Sequence, residues 1–182
     1  MKKILRINLA IIVLALSAMI MPASLWAQDS KTNKIIADSK EAKKDFINTD
    51  GLMQNLFTSA YGYAIFPNVG KGGIGVGGAA GNGIVYQNGK EIGSAKLKQV
   101  SVGFQFGGQV YREVIFFENQ AALDRFKENK LEFSAQASAV AATKGASANV
   151  KYSDGVMIFT QQKGGLMYEA SVGGQKFSYT AF

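Results

Sequence analysis

The spacing of apolar residues changes near position 60, and that change organises the chain. Behind Ser30, which can cap a helix, Ile35, Ile36, Ala42, Phe46 and Ile47 recur at helical spacing and predict a helix over residues 30–48. Thr49-Asp50 can cap a second, short helix with Leu52, Met53, Leu56 and Phe57 along one side. From Ala60 onward the period is two. Residues 96–106 give the clearest strand: Val100, Val102, Phe104 and Phe106 share one side, and Gln99, Ser101, Gly103 and Gln105 the other. Asn88-Gly89 is a hairpin turn between Ile84-Val85-Tyr86 and the next strand. Gly107-Gly108 marks a turn or bulge, and residues 109–117 form a further strand rich in β-formers. Asn119 can cap a helix through Ala121, Ala122, Leu123 and Phe126, ending near Asn129. Residues 131–148 alternate like a strand although their alanines favour helix, with a turn at Lys144-Gly145. Strands at 156–160, 166–172 and 177–182 follow, divided by Gly164-Gly165 and Gly173-Gly174.

N-terminal helices followed by mostly antiparallel strands, with one helix inserted, make an α+β pattern. About eight short strands in one domain are expected to give a strongly curved sheet, barrel- or sandwich-like.

Within this pattern Tyr61–Tyr86 stands apart, with eight glycines between Gly70 and Gly83 interleaved with Ile74 and Val76 and followed by Ile84 and Val85. Apolar residues alternating with glycine suit a strand that another backbone approaches closely, or a sharp bend in a sheet. The segment supplies no side-chain catalyst. Gly73–Gly78 fits G-x-G-x-x-G, but more glycine and another strand follow where a dinucleotide fold would begin a helix. A backbone nest at Gly70-Lys71-Gly72-Gly73 would hold one phosphate, with Lys71 supplying charge; a plain glycine turn is the competing reading.

Charge and composition narrow the picture. Lys2, Lys3 and Arg6 precede the apolar run Leu9–Met21, and Leu25-Trp26-Ala27 offers a cut after Ala27. Residues 1–27 are therefore expected to be a secretory signal and residues 28–182 a single domain; the apolar run is short for a membrane span, and a retained anchor is the alternative. The expected location is the periplasm or cell envelope of a bacterium. With no cysteine, an exported chain must rely on packing and not on disulfides. The formal charge is +7, and three of those charges lie in the expected signal. The mild basicity that remains permits anionic lipid and does not call for nucleic acid.

The chain has no histidine and no cysteine, which removes most nucleophilic chemistry and most transition-metal sites. No metal or cofactor is expected. Its 13 acidic residues are scattered. Glu41 and Asp45, one helical turn apart beside Lys40 and Lys44, read as a solvated, salt-bridged face. Glu113 and Arg112 are neighbours in a strand and so face opposite ways. Without a paired acid and base the chain reads as a non-enzyme. The first helix carries Lys31, Lys34, Lys40, Lys43 and Lys44, a basic surface suited to an anionic bilayer, with its apolar side free to pack on the sheet.

Ala64-Ile65-Phe66-Pro67-Asn68-Val69-Gly70-Lys71-Gly72-Gly73, followed by Gly75-Val76-Gly77-Gly78 and Gly81-Asn82-Gly83, resembles the SYLF-domain family. Ser101-Val102-Gly103-Phe104-Gln105-Phe106-Gly107-Gly108-Gln109 resembles that family's next strand and turn, and Val114–Phe117 with the helix of Ala122, Leu123 and Phe126 continues the likeness. The resemblance spans nearly all of residues 28–182, less sharply toward the tail. It implies a lipid-binding protein of the stand-alone bacterial branch, without the SH3 domain or actin role of fungal members. The expected function is thus non-catalytic binding of anionic phospholipid or a membrane surface. Lys71 with Gly70, Gly72 and Gly73 would meet a head group, and Lys34, Lys40, Lys43 and Lys44 would supply attraction at longer range. An eight-stranded outer-membrane barrel is the alternative, suggested by the terminal Phe182 and aromatic-rich strands. A lipid- or glycan-acting enzyme stands behind it.

Overall fold

A computed structural model describes residues 23–74, 76–102, 109–133, 138–163 and 169–182. The chain forms two compact units, residues 1–33 and 34–182. Most of the expected signal lies outside the described residues, as do 103–108 of the second glycine block and the Gly164-Gly165 turn. Helix α1, Ala23–Thr49, begins in the first unit; the rest of this description concerns the second.

Helix α2 (Met53–Ser59) follows, then strands β1 (Gly62–Ile74), β2 (Val76–Gln87), β3 (Lys90–Val102) and β4 (Gln109–Phe117). Helix α3 (Gln120–Lys127), β5 (Ser138–Ala141), a 3-10 turn (Ala146–Asn149), β6 (Val156–Gln162), β7 (Glu169–Ser171) and β8 (Gln175–Ala181) complete the order. The eight strands make one sheet, ordered β7-β5-β6-β4-β1-β2-β3-β8. The α+β class holds. The barrel does not: β7 and β8 are opposite ends of an open sheet among the described residues, and β5 runs parallel to β6. A spanning barrel needs closed, antiparallel pairing. Nor is there a second sheet among the described residues to make a sandwich.

Local chemistry sets these elements. Asn88 and Gly89 both take positive φ in the β2–β3 turn, the conformation that two-residue hairpins require. The Asn119 side chain accepts from Ala122 N at 3.0 Å and starts α3, whose Ala122, Leu123 and Phe126 are buried. Asp50 acts differently from the expected cap: it accepts from Leu52 N at 3.1 Å and also binds Ser147. Leu52 is consequently turned to solvent, while Met53 and Phe57 are buried. Residues 131–148 contribute only the short β5 among their described positions, and the turn at Lys144-Gly145 leads into the 3-10 turn.

Each sheet face carries its own core. Ala42 and Phe46 of α1 and Met53 and Phe57 of α2 pack with Tyr63, Ile65, Ile84, Tyr86, Val114, Phe116, Met157 and Phe159. The opposite face joins Ala64, Phe66, Val85, Leu97, Ile115 and Phe117 to Phe126 of α3 and to Leu131, Val172 and Phe177. Alternation along β1, β2 and β4 sends successive side chains to these two cores. In that second core Phe66 of β1 lies 5.8 Å from Phe177 of β8, ring centre to ring centre, with β2 and β3 between them in the sheet order.

Candidate functional site

Gly70, Gly72 and Gly73 lie in β1 and Gly77, Gly78, Gly81 and Gly83 in β2, so these glycines form strand. Gly70 pairs with Ala80 on β2 and Val110 on β4, and Lys71 pairs with Ala79 and Gln109. Among the described residues the positive-φ glycines are Gly89, Gly145, Gly155 and Gly174, so neither Gly70 nor Gly72 takes the left-handed conformation that a nest needs. The phosphate nest expected from sequence is therefore not built. The glycines serve packing instead. A Cβ on Gly83 would run into the Ile65 carbonyl and the Phe66 ring, so only glycine lets β2 pass beneath that ring. Space above Gly70 and Gly72 is open.

Register then aligns those open glycines with charge. Residues opposite one another in antiparallel strands project to the same side. One row runs Val110, Gly70, Ala80, Lys98, Lys176 across β4, β1, β2, β3 and β8. The next runs Gly72, Gly78, Val100. Both lie on the side that α1 and α2 cover at the other end of the strands, and here the surface is bare: Val100 is 75% exposed and Val110 46%. Lys96 joins them, opposite Ser178. Two lysines directly across from each other repel. Lys176 also contacts Glu132 at 3.8 Å, both side chains being well exposed.

Sequence reasoning missed this patch because the alternation of Val100 with Gln99 suggests an apolar side for Val100. The structure sets the strand the other way: Ala95, Leu97 and Gln99 are buried, and Lys96, Lys98 and Val100 face out. The signal present in the sequence was Lys96-x-Lys98, two cations at strand spacing.

The helix lysines divide by role. Lys43 donates to the Tyr63 hydroxyl at 3.1 Å and sits 4.8 Å from the Phe57 ring centre, which ties it to the core. Lys34 pairs with Asp38 at 3.1 Å and Lys40 with Glu91 at 3.0 Å. Lys44 is exposed. Asp45 binds Arg112 of β4 instead of a lysine of its own helix. The helix is thus less basic in effect than its lysine count suggests.

Lys71 faces inward, with the row Ala79, Gln99, Gln175. It belongs to a polar cluster inside the second core. Glu113 of β4 is fully buried and accepts from Gln175 Nε2 at 2.9 Å. Burial pushes its carboxyl up to about 7, against the Gln175 bond and the charge of Lys71. Burial likewise lowers Lys71, against the pull of Glu113. Tyr111, beside Gln175, is raised by burial and then by Glu113. Glu113 Oε1, Gln175 Oε1 and Thr160 Oγ1 have no hydrogen-bond partner among the described residues. Thr160 is the cross-strand neighbour of Glu113. A lone buried carboxyl flanked by an amide and a lysine can store a proton, but it lacks the second carboxyl of an acid–base pair.

Among the described residues no group of three or more acidic, histidine or cysteine side chains gathers to hold a metal, and no helix is long and apolar enough to cross a membrane. Residues 98–180, which include Lys98, Glu113 and Lys176, match the Ysc84 family, described as Las17-binding protein actin regulator. Beta cell expansion factor A of Aeromonas veronii, a SYLF-domain protein, is 31% identical over 124 residues, an alignment covering 67% of this chain and 47% of that one. The chain thus spans about half the length of that relative. On these matches, and on the glycine blocks that fold into β1 and β2, the chain belongs to the SYLF family.

Proposed function

We propose that this protein is an exported, non-catalytic module of the periplasm or cell envelope that binds the anionic phospholipid surface of a membrane. The observation that carries the reading is Lys98 directly opposite Lys176 on an exposed sheet face, with Lys96 beside them and Val100 projecting from the same surface. A like-charged pair costs stability unless something negative lies over it. The open row of Gly70 and Ala80 leaves this surface low, so a flat bilayer can approach the lysines. Lys34, Lys40 and Lys44 of α1, on the same side of the sheet, add attraction at longer range, whereas Lys71 faces the opposite core and is not part of this surface. The sheet is read as strongly curved, which the Phe66–Phe177 contact across two intervening strands supports.

Co-sedimentation with vesicles tests the function. Bound protein should rise with the fraction of phosphatidylglycerol and fall with salt, since exposed charges are screened within about 10 Å at 0.1 M. Reversing Lys96, Lys98 and Lys176 to Glu should weaken binding by at least the order of a hundredfold, at about 1 kcal/mol per lysine removed. Equal binding to neutral vesicles in high salt would refute the electrostatic reading.

A further inference from the structure

Glu113 accepts one hydrogen bond among the described residues, from Gln175 Nε2 at 2.9 Å, and its second oxygen, Oε1, is buried with no partner there. The Thr160 hydroxyl across the strand pair is buried and unpartnered too. A protonated carboxyl can rest in such a place. A carboxylate could not, unless a cation came to it, because a lone buried charge carries the full cost of desolvation.

Only one cation is placed to come. Among the described residues the titratable side chains on this side of the cluster are Tyr111 of β4 and Lys71 of β1; Thr160 of β6, Gln99 of β3 and Gln175 of β8 are uncharged. Tyr111 stays neutral, burial having raised its hydroxyl further. Arg112, the cation next to Glu113 in sequence, faces the other side and is held by Asp45 of α1. Lys71 is half-buried, and its ammonium makes no hydrogen bond or ion pair among the described residues. Gly70 and Gly72 flank it, with open space above both, so β1 has room to yield there. The charges of Lys71 and Glu113 already act on each other.

We propose that Lys71 is a proton-controlled latch, standing apart from Glu113 while the carboxyl is protonated and closing on it as an ion pair when the proton leaves. Closure ties β1 to β4 within the second core and takes Lys71 from half-buried to enclosed. Burial places the titration of Glu113 near 7, so the latch works across neutral pH. Lys71 faces away from Lys98 and Lys176, and the latch is therefore independent of the membrane-surface reading.

Amine acetylation of the full chain, read by peptide mass spectrometry one pH unit either side of that value, tests it, with the exposed Lys44 as internal reference. The Lys71-to-Lys44 labelling ratio should fall at least about threefold from the lower pH to the higher, since a coupling of one pH unit is a factor of about ten. In Glu113→Gln it should not fall. Carbon NMR of the Glu113 carboxyl gives the second readout: Lys71→Met should raise its titration midpoint by at least about one unit, and Lys71→Arg should return it toward wild type. A wild-type ratio that does not fall overturns the proposal without any variant. So does a fall that Glu113→Gln shares, or a midpoint that Lys71→Met leaves in place.

Discussion

Gln175 donates a 2.9 Å hydrogen bond to Glu113 although three strands, β1, β2 and β3, lie between theirs in the sheet. Neighbouring strands are about 4.8 Å apart, so the same two positions on a flat sheet would be separated by roughly 19 Å. The bond therefore clamps one end of the sheet to its middle, within the polar cluster that the second core encloses. Such a clamp buries a titratable group where water cannot compensate it, and the consequence is measurable.

Glu113 should make the fold less stable as pH rises from about 4.5 to about 7. Its carboxyl titrates near 7 in the folded chain and near the ordinary 4.5 when unfolded. Between those values the folded state keeps a proton that the unfolded state has lost, so the stabilisation is complete below the lower value and is lost by the upper one. The span corresponds to about 3 kcal/mol. Glu113→Gln keeps the shape and removes the titration, so urea unfolding at a series of pH values should show a much flatter profile for the variant across this window. Identical profiles would mean that the buried carboxyl is already ionised at acidic pH.

Asp50 should act with the opposite sign. Burial works to raise its carboxyl, but hydrogen bonds from the Ser147 side chain and backbone and from Leu52 N outweigh it and hold the group below its ordinary value. Its contribution is present above the usual carboxylate range and is lost as pH falls through the lowered value. Asp50→Ala leaves the Ser147 donors without their acceptor and should cost about 1–3 kcal/mol at pH 7. The deficit relative to wild type should shrink in acid, where wild type loses the same bonds.

The element pattern was largely legible because it depends on local rules. The Asn119 cap, the Asn88-Gly89 turn and the bounds of β4 are fixed by residues within a few positions, and each is where the periodicity placed it. What was not legible depends on partners far along the chain. Gln99 is buried because its Nε2 reaches the Gly173 carbonyl at 2.9 Å, a contact across 74 residues, and with Gln99 turned inward Val100 must face out. Lys43 reads in sequence as one more membrane lysine because nothing nearby announces Tyr63 as its partner. Glu113 looked unremarkable beside Arg112; its role depends on Gln175, 62 residues on. The candidate site suffered most, since the patch of Lys98 and Lys176 comes from strand register, which composition does not encode.

Gly83→Ala should destabilise the fold without altering vesicle binding measured on folded protein. The new methyl would meet the Ile65 carbonyl and the Phe66 ring, neither of which has room to retreat in a core where both residues are fully buried. Overpacking of this kind costs about 1–3 kcal/mol. Gly70→Ala is the control, because the space above Gly70 is open and its φ is not left-handed. Thermal melts should separate the two by several degrees. A Gly83 variant as stable as the Gly70 variant would show that β2 does not pass as closely beneath Phe66 as described.

Lys98→Gln should raise stability and lower binding together. On the free protein the substitution removes repulsion between two cations facing each other across β3 and β8, a gain of about 0.2–1 kcal/mol for a cross-strand pair. On anionic vesicles it removes one charge next to the surface, a loss of about 1 kcal/mol. Lys44→Gln is the comparison: Lys44 is exposed on α1 and faces no lysine across a strand, so its loss should weaken vesicle binding slightly and leave stability within about 0.5 kcal/mol of wild type. Salt discriminates further. Raising ionic strength screens the repulsion between Lys98 and Lys176, so the stability advantage of Lys98→Gln should fade at 1 M salt, where the screening length is about 3 Å. A Lys98→Gln protein that is less stable than wild type at low salt would mean that the pair is already neutralised within the chain, and that no external anion is needed to satisfy it.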